Sequence, residues 1–283
     1  MTETSDPDDG WFAGLDRDDT EAVRTAIAEG SADAPREWPR DAVEAGAVED
    51  SDEYYEWLRS ATIGAARAAA SERERADDQQ LIHLLRAMDD AERTANELAE
   101  RVAEWGGSRF GNSGSGVAFA REIASRDAAD PATERLVALA EQVVALDEEA
   151  ESLRETIERL APDAAPNLAA MAGPILAARL IALAGGLKPL ARSTSGTVQV
   201  LGAEDALFAH LKGNAPSPKH GIIYTHEYVR GTDPDNRGSA ARALAGKLTI
   251  AARVDHYSGE RKPELDAELD ERIATIRARG DAE

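Results

Sequence analysis

Pro216-Ser217-Pro218-Lys219-His220-Gly221-Ile222-Ile223-Tyr224 sets the reading of the chain. Val200-Leu201-Gly202-Ala203-Glu204-Asp205-Ala206-Leu207-Phe208 precedes it, and Ala251-Ala252-Arg253-Val254-Asp255-His256-Tyr257-Ser258-Gly259 follows. The order is a helical segment, a Pro/Gly-rich loop carrying Lys and His, and a second helix bearing Arg and Lys. Residues 171–262 hold 12 Lys+Arg against 7 Asp+Glu, whereas the whole chain holds 32 against 54, a net charge of -22. The plainest reason for a basic island in so acidic a chain is an anionic partner.

The loop has chemistry suited to RNA. Pro216 and Pro218 stiffen it, which lowers the ordering cost of binding. Lys219 supplies a phosphate contact and the His220 ring a surface for an unpaired base. The plainer alternative is a surface loop with a hydrogen-bonded histidine. Arg237, Arg242 and Lys247 flank the loop if the helix over 236–254 packs beneath it, and their charge-assisted bonds suit phosphate oxygens. Arg253 reads as structural, paired with the nearby Asp255.

Upstream, Met171, Ile175, Leu176, Leu180, Ile181 and Leu183 make a nearly all-round apolar helix ended by Gly185-Gly186. Ser193 to Val200 reads as a turn, and 204–212 as a helix. In the helix over 236–254, Ala240, Leu244, Leu248 and Ala251 share one face. A tail helix over 264–279 carries the stripe Leu265, Leu269, Ile273 and Ile276.

Further out, heptads dominate. Leu81, Met88, Ala95 and Val102 take one seam position, and Leu84, Ala91, Leu98 and Trp105 the other. A second arm repeats this with Leu136, Val143, Ala150 and Ile157, and with Leu139, Leu146, Leu153 and Leu160. Two apolar residues per seven over more than three heptads argue for a coiled coil. Two arms of similar length joined by a turn return antiparallel. Gly106-Gly107, Gly111-Asn112 and Gly114-Ser115-Gly116 supply turn chemistry for a tip at 106–131. Phe110, Val117, Phe119 and Ile123 close the tip or pair with a second copy. Ala161-Pro162 and Ala165-Pro166 end the second arm.

Residues 1–60 form a small α/β or helical module. Asp6 to Asp9 reads as a loose acidic start. Asp18-Asp19-Thr20 caps a helix that Gly30 ends. Trp38-Pro39 and Ala45-Gly46-Ala47-Val48 read as turn or short strand, and Tyr54, Tyr55, Trp57 and Leu58 as a satellite core. The chain is thus mainly α, in four parts: 1–60, a hairpin over 61–165, an all-helical domain over 166–262 and a tail over 263–283.

Composition excludes several classes. Without cysteine there is no disulfide framework and no thiolate metal site. No apolar run reaches the roughly 18 residues of a membrane helix, and no export signal is visible, so a cytoplasmic location is expected. An acid excess over several helices fits a protein of concentrated salt, where a Debye length of roughly 3 Å screens self-repulsion. His210, His220, His226 and His256 lack metal-site spacing. Neither a Walker loop nor Gly-x-Ser-x-Gly occurs. A non-catalytic protein follows.

The 167–259 stretch resembles the Nop domain, the RNA-protein-binding module of box C/D ribonucleoprotein core proteins and of a related splicing factor. The matching residues are Pro166-Asn167-Leu168, Gly173-Pro174-Ile175-Leu176-Ala177-Ala178-Arg179-Leu180, Val200-Leu201-Gly202-Ala203-Glu204, Pro218-Lys219-His220-Gly221-Ile222-Ile223 and Ala251-Ala252-Arg253-Val254-Asp255. The hairpin before it is similar to the archaeal member's coiled coil.

The resemblance implies a scaffold without chemistry of its own. The N-terminal module would hold fibrillarin, the methyltransferase that binds S-adenosylmethionine. The coiled coil would self-associate. The Nop domain would clamp a kink-turn guide RNA bound by a small ribosomal-protein-like subunit, directing 2′-O-methylation of ribosomal RNA. The residues expected at the RNA are Lys212, Lys219, His220, Arg237, Arg242 and Lys247, and those at a partner interface are Gln199, Gly202, Ala203, Glu204 and Phe208. Asp205 and Ala209 stand where the family carries cations, which shifts binding toward base stacking. Two other readings stay open: a splicing-factor-type scaffold without methyltransferase, and a purely structural coiled-coil dimeriser.

Overall fold

The computed structural model describes residues 10–31, 34–111 and 114–280, and every regular element among them is a helix. The acidic start at Asp6 to Asp9, and Asn112 of the tip, lie outside the described residues. The chain divides into two compact units, Met1–Ala76 and Asp77–Glu283.

The first unit is helical, so the α/β option falls away among its described residues. Helix α1 (Thr20–Glu29) starts where Asp19 accepts from the Glu21 and Ala22 N–H groups. Helix α2 (Trp38–Glu44) begins at the expected turn, because proline fits a first helical turn, where its missing N–H costs nothing. Helix α3 (Ser51–Arg75) is capped by Asp50. Phe12 and Tyr54 are buried, with Trp11, Trp38 and Trp57 around them, as a satellite core should be. Trp11 Nε1 donates to Tyr54 Oη at 3.1 Å. Tyr55 is the exception, 58% exposed. The expected boundary at 60/61 falls inside α3, which runs unbroken through the buried Ala61.

The second unit opens with the hairpin. Helix α4 (Asp77–Phe110) and helix α6 (Pro131–Ala164) form its arms, with α5 (Gly116–Ala124) at the tip. Glu92 pairs with Arg154 at 2.6 Å and Arg109 bonds Thr133 at 3.3 Å, so the arms run antiparallel. Gly106-Gly107 does not break the helix as expected. Gly106 is buried inside α4, where a Cβ would sit 3.2 Å from Phe119 and 3.3 Å from Ile123. The glycine lets α5 close onto the arm, and Phe119, Ala120 and Ile123 fill the tip core with Val102 and Leu136. Pro162 also fails to end its helix. It sits in the last turn of α6, and Pro166 starts the next.

The seam keeps one expected set and, apart from the buried Ala91, exchanges the other. Leu81, Met88, Ala95, Val102, Leu136, Val143, Ala150 and Ile157 are buried, as expected. Their partners are Leu85, Ala99 and Gly106 on α4, and Thr133, Ala140 and Ala161 on α6. The Leu84, Leu98, Leu146 and Leu153 expected there are only half-buried, and Trp105 and Leu160 are exposed. Small side chains let helices approach closely, so alanine wins the seam and leucine covers its edge. Ala99→Leu should therefore overpack the seam and cost about 1–3 kcal/mol. Trp105→Ala should cost under about 1 kcal/mol, against about 3–5 kcal/mol for a buried Trp. Chemical denaturation of the two variants measures both.

The remaining helices build one core with the hairpin base. Helices α7 (Pro166–Ala172) and α8 (Pro174–Ala184) replace the single apolar helix, bent 118° at Gly173, whose φ is +79°. Then come α9 (Leu187–Arg192), α10 (Ser195–Val200), α11 (Glu204–Leu211), a 3-10 turn (Ile222–Thr225) and α12 (Glu227–Arg230). Thr194 caps α10, making a helix of the expected turn. Helix α13 (Arg237–Tyr257) buries the expected face, Ala240, Leu244, Leu248 and Ala251. Helix α14 (Glu264–Gly280) buries Leu265, Leu269, Ile273 and Ile276 in the same core, so the tail is not a separate part. Among the described residues no single helix is long and apolar enough to cross a membrane.

Candidate nucleic-acid interface

The Lys219-His220 loop is sewn to the end of α10 by three hydrogen bonds. Gln199 Nε2 donates to Lys219 O at 2.7 Å, Gly221 N to Gln199 O at 2.8 Å and Ile222 N to Leu201 O at 2.7 Å. The approach is so close that a Cβ on Gly221 would lie 2.0 Å from Leu201 O. Ile223, fully buried, anchors the following turn. The loop is therefore positioned by backbone bonds as well as by its prolines.

His220 does not stand alone as a surface for a base. Its ring stacks on Tyr224, centroids 4.6 Å apart and planes 22° from parallel. The Arg237 guanidinium sits 5.7 Å from the Tyr224 ring centre, held there by Nε donating to Thr232 O at 3.0 Å. Partial burial, and then the nearby Arg237 and Lys219 charges, push the His220 pKa down. A neutral stacked ring pair with a cation beside it suits a base and its phosphate. Tyr224 escaped the sequence reading. Its signal is an aromatic four residues after His220, in the 3-10 turn that follows the loop.

The expected RNA-contacting residues are only partly gathered. Lys219, His220 and Arg237 come together with Tyr224 and Gln199. Lys212 is exposed at the end of α11. Lys247 is not free, because it pairs with Glu268 of α14. Arg242 is exposed on another face of α13, five residues and hence about 140° round from Arg237. Arg253 is structural, but its partner is not Asp255. Its Nε and Nη2 donate to Ala191 O at 3.0 Å and Ser193 O at 3.2 Å, at the carbonyl end of α9, where a cation is favoured.

The expected partner-facing residues surround the same loop. Gln199 makes the bond just described. Gly202 turns the chain with φ +81°, close to Ile222 and Leu183. Ala203 precedes α11, and the Glu204 carboxylate reaches back to accept from Gly202 N at 2.8 Å. Helix α11 has no buried residue, and Phe208 and Leu211 are 58% and 71% exposed. Leu211 was missed by the sequence reading and lies one helical turn beyond Phe208.

Asp255 does something the sequence hides. Its carboxylate accepts from Asn167 N at 2.9 Å, Asn167 Nδ2 at 2.6 Å and Leu168 N at 2.8 Å, capping α7 from the far end of α13. Asn167 Oδ1 in turn accepts from Lys262 N at 2.6 Å. Thus Asn167 and Asp255, in two of the motifs, form one buried network.

His226 is a structural histidine. Its Nδ1 accepts from Tyr228 N at 3.1 Å, and Nε2 lies 3.1 Å from Met171 O, which fixes the Nε2–H neutral tautomer. Burial lowers its pKa. A lowered folded pKa means that the unfolded chain binds the proton first, so stability falls as pH drops below about 6.5. An NMR titration should place His226 below that ordinary value; a value above it would contradict the assignment. No cluster of three or more His, Cys, Asp or Glu suits a metal ion among the described residues.

Comparison with known proteins places the chain in a family. The model of the Nop family, described as snoRNA binding domain, fibrillarin, matches residues 115–277. An uncharacterized NOP5 family protein of Methanocaldococcus jannaschii is 46% identical over 142 residues, which is 50% of this chain and 34% of that protein. Nucleolar protein 58 of Candida albicans is 32% identical over 232 residues, 69% of this chain and 45% of that one. The chain thus spans less than half the length of these relatives. A crystal structure of a fibrillarin/Nop5p complex shares the fold, with a TM-score of 0.54 and 24% identity over 90% of this chain and 91% of that one. With more than half its length matched by the family model, and with the pinned loop and Asn167–Asp255 network occupying the motif positions, the chain belongs to the Nop family.

Proposed function

We propose that this chain is the scaffold subunit of a box C/D guide-RNA ribonucleoprotein. In this reading it bridges a fibrillarin-type methyltransferase to a kink-turn RNA carrying its small ribosomal-protein-like subunit. The observation that carries the reading is the pinned loop, which presents the His220–Tyr224 stack, Lys219 and Arg237 on one side of the domain. The exposed Phe208 and Leu211 of α11 offer an apolar contact to the protein partner. The chain contributes binding and distance, not chemistry. The methyl donor belongs to the methyltransferase, which the first unit would hold.

Self-association through the hairpin finds support in the exchanged seam. Leu84, Leu98 and Trp105 of α4 and Leu139 and Leu160 of α6 each precede a seam position, and Leu146 and Leu153 continue the same heptad position. In an antiparallel pair such positions lie on one flank. That half-buried apolar flank suits the hairpin of a second copy. The acid excess fits a cell interior of high salt, where phosphate contacts weaken and the ring stack matters more.

A mobility-shift assay in molar salt tests the proposal. Kink-turn RNA loaded with the small subunit should shift, and naked RNA should not. Equal binding to arbitrary RNA, with or without the subunit, would sink it. Failure to co-purify fibrillarin, with RNA binding intact, would favour the splicing-factor-type scaffold instead.

A further inference from the structure

No Asp or Glu occurs between Ala164 and Ala203, or between Asn236 and Val254, in a chain that holds 54 of them. A chain that spreads carboxylates over its surface for solubility leaves them out where an anion comes to rest. The two acid-free runs fold into α7–α10 and most of α13.

At about 100° per residue, Arg242, Gly246, Ile250, Arg253 and Tyr257 fall within one arc of α13 about 80° wide. That arc faces solvent. Arg242 and Arg253 are exposed, Ile250 is 40% exposed and Tyr257 70%. It runs about 22 Å at 1.5 Å per residue. Its direction differs from that of Arg237, so it is separate from the His220–Tyr224 stack. The bonds from Arg253 to Ala191 O and Ser193 O bring the exposed Arg192, at the end of α9, alongside. Glu268 of α14, the carboxylate reaching α13 from the other flank, is taken up by Lys247.

We propose that this face of α13, with Arg192, is a second RNA surface that takes an unpaired segment. Phosphates lie on Arg192 and Arg242, and a base stacks on Tyr257. Arg242, which the sequence groups with the loop, belongs here. Guanidinium forks match phosphate oxygens, and an exposed aromatic ring accepts any base. The inference rests on the RNA-scaffold reading above.

The test compares two kink-turn RNAs, each loaded with the small subunit, one blunt and one bearing a single-stranded extension. The full chain should bind the extended RNA about tenfold more tightly. Tyr257→Ala and Arg192→Ala should each remove most of that gain and leave blunt-RNA binding unchanged, while Tyr257→Phe should keep it. An unchanged thermal midpoint excludes misfolding of these exposed-site variants. If blunt RNA binds but the extension adds nothing, or the gain survives both variants, this surface is wrong and the loop reading stands. If neither RNA binds, the scaffold reading falls, and this one with it. If the variants alter self-association and not the gain, the face is a protein contact and the proposal is overturned.

Discussion

Asp255→Ala should cost about 3–5 kcal/mol, because several buried donors lose one acceptor together. Three N–H donors lose their acceptor at once: the Asn167 and Leu168 backbone groups and the Asn167 side chain. Two of them are at the start of α7, where no helical carbonyl can replace the carboxylate. Each donor left buried without a partner costs about 1–3 kcal/mol. The site cannot readily admit water, since Asn167 is 1% exposed and Asp255 8%. For a unit of this size the loss corresponds to a fall in thermal midpoint on the order of 10 °C. Urea denaturation of the variant measures it. A loss below about 1 kcal/mol would show that the network is incidental to stability.

Gly221→Ala should detach the loop and reduce binding of partner-loaded kink-turn RNA at least about tenfold, a contact energy of roughly 1.4 kcal/mol. The added Cβ would meet Leu201 O at 2.0 Å and the Val200 carbonyl carbon at 2.6 Å. These are backbone atoms, so no side chain can swing aside. The bonds from Gly221 N and Ile222 N must then lengthen or break. Hydrogen exchange at these two amides should accelerate in the variant. Gly64→Ala in α3 is the control, because a Cβ there meets only the flexible Arg24 side chain, at 3.4 Å. In mid-helix that change should stabilise by about 0.5–1 kcal/mol. RNA binding by Gly221→Ala equal to that of the Gly64→Ala control would mean that the pinning is not needed.

The helical class and the two arms were legible because heptads survive any uncertainty about turns. Which residues face each other was less so. Hydropathy weights leucine over alanine, so Leu84, Leu98, Leu146 and Leu153 outranked Ala99, Ala140 and Ala161, which lie at the seam. Gly106 looked like a break because glycine usually marks one. Its real reason, the closeness of Phe119 and Ile123, is a tertiary contact with no local trace. The motif positions could be recognised but not explained. Asn167 and Asp255 are 88 residues apart, and nothing in either segment announces the other. The loop was found from its Pro-Lys-His-Gly content. Its stacking partner Tyr224 follows two isoleucines and carries no charge or loop signal of its own. Lys247 was assigned to RNA by charge alone, and a helix 21 residues later claims it. The first unit was the hardest, since its core is a handful of aromatic side chains spread over three short segments.

Ultraviolet crosslinking of the assembled complex, with photoreactive bases through the kink-turn and peptide mapping by mass spectrometry, puts the RNA-presenting loop to its hardest trial. Adducts are expected on residues 219–224, foremost His220 and Tyr224, and they should vanish in His220→Ala while the rest of the pattern persists. A complex that forms fully yet yields adducts only outside that loop would contradict the account.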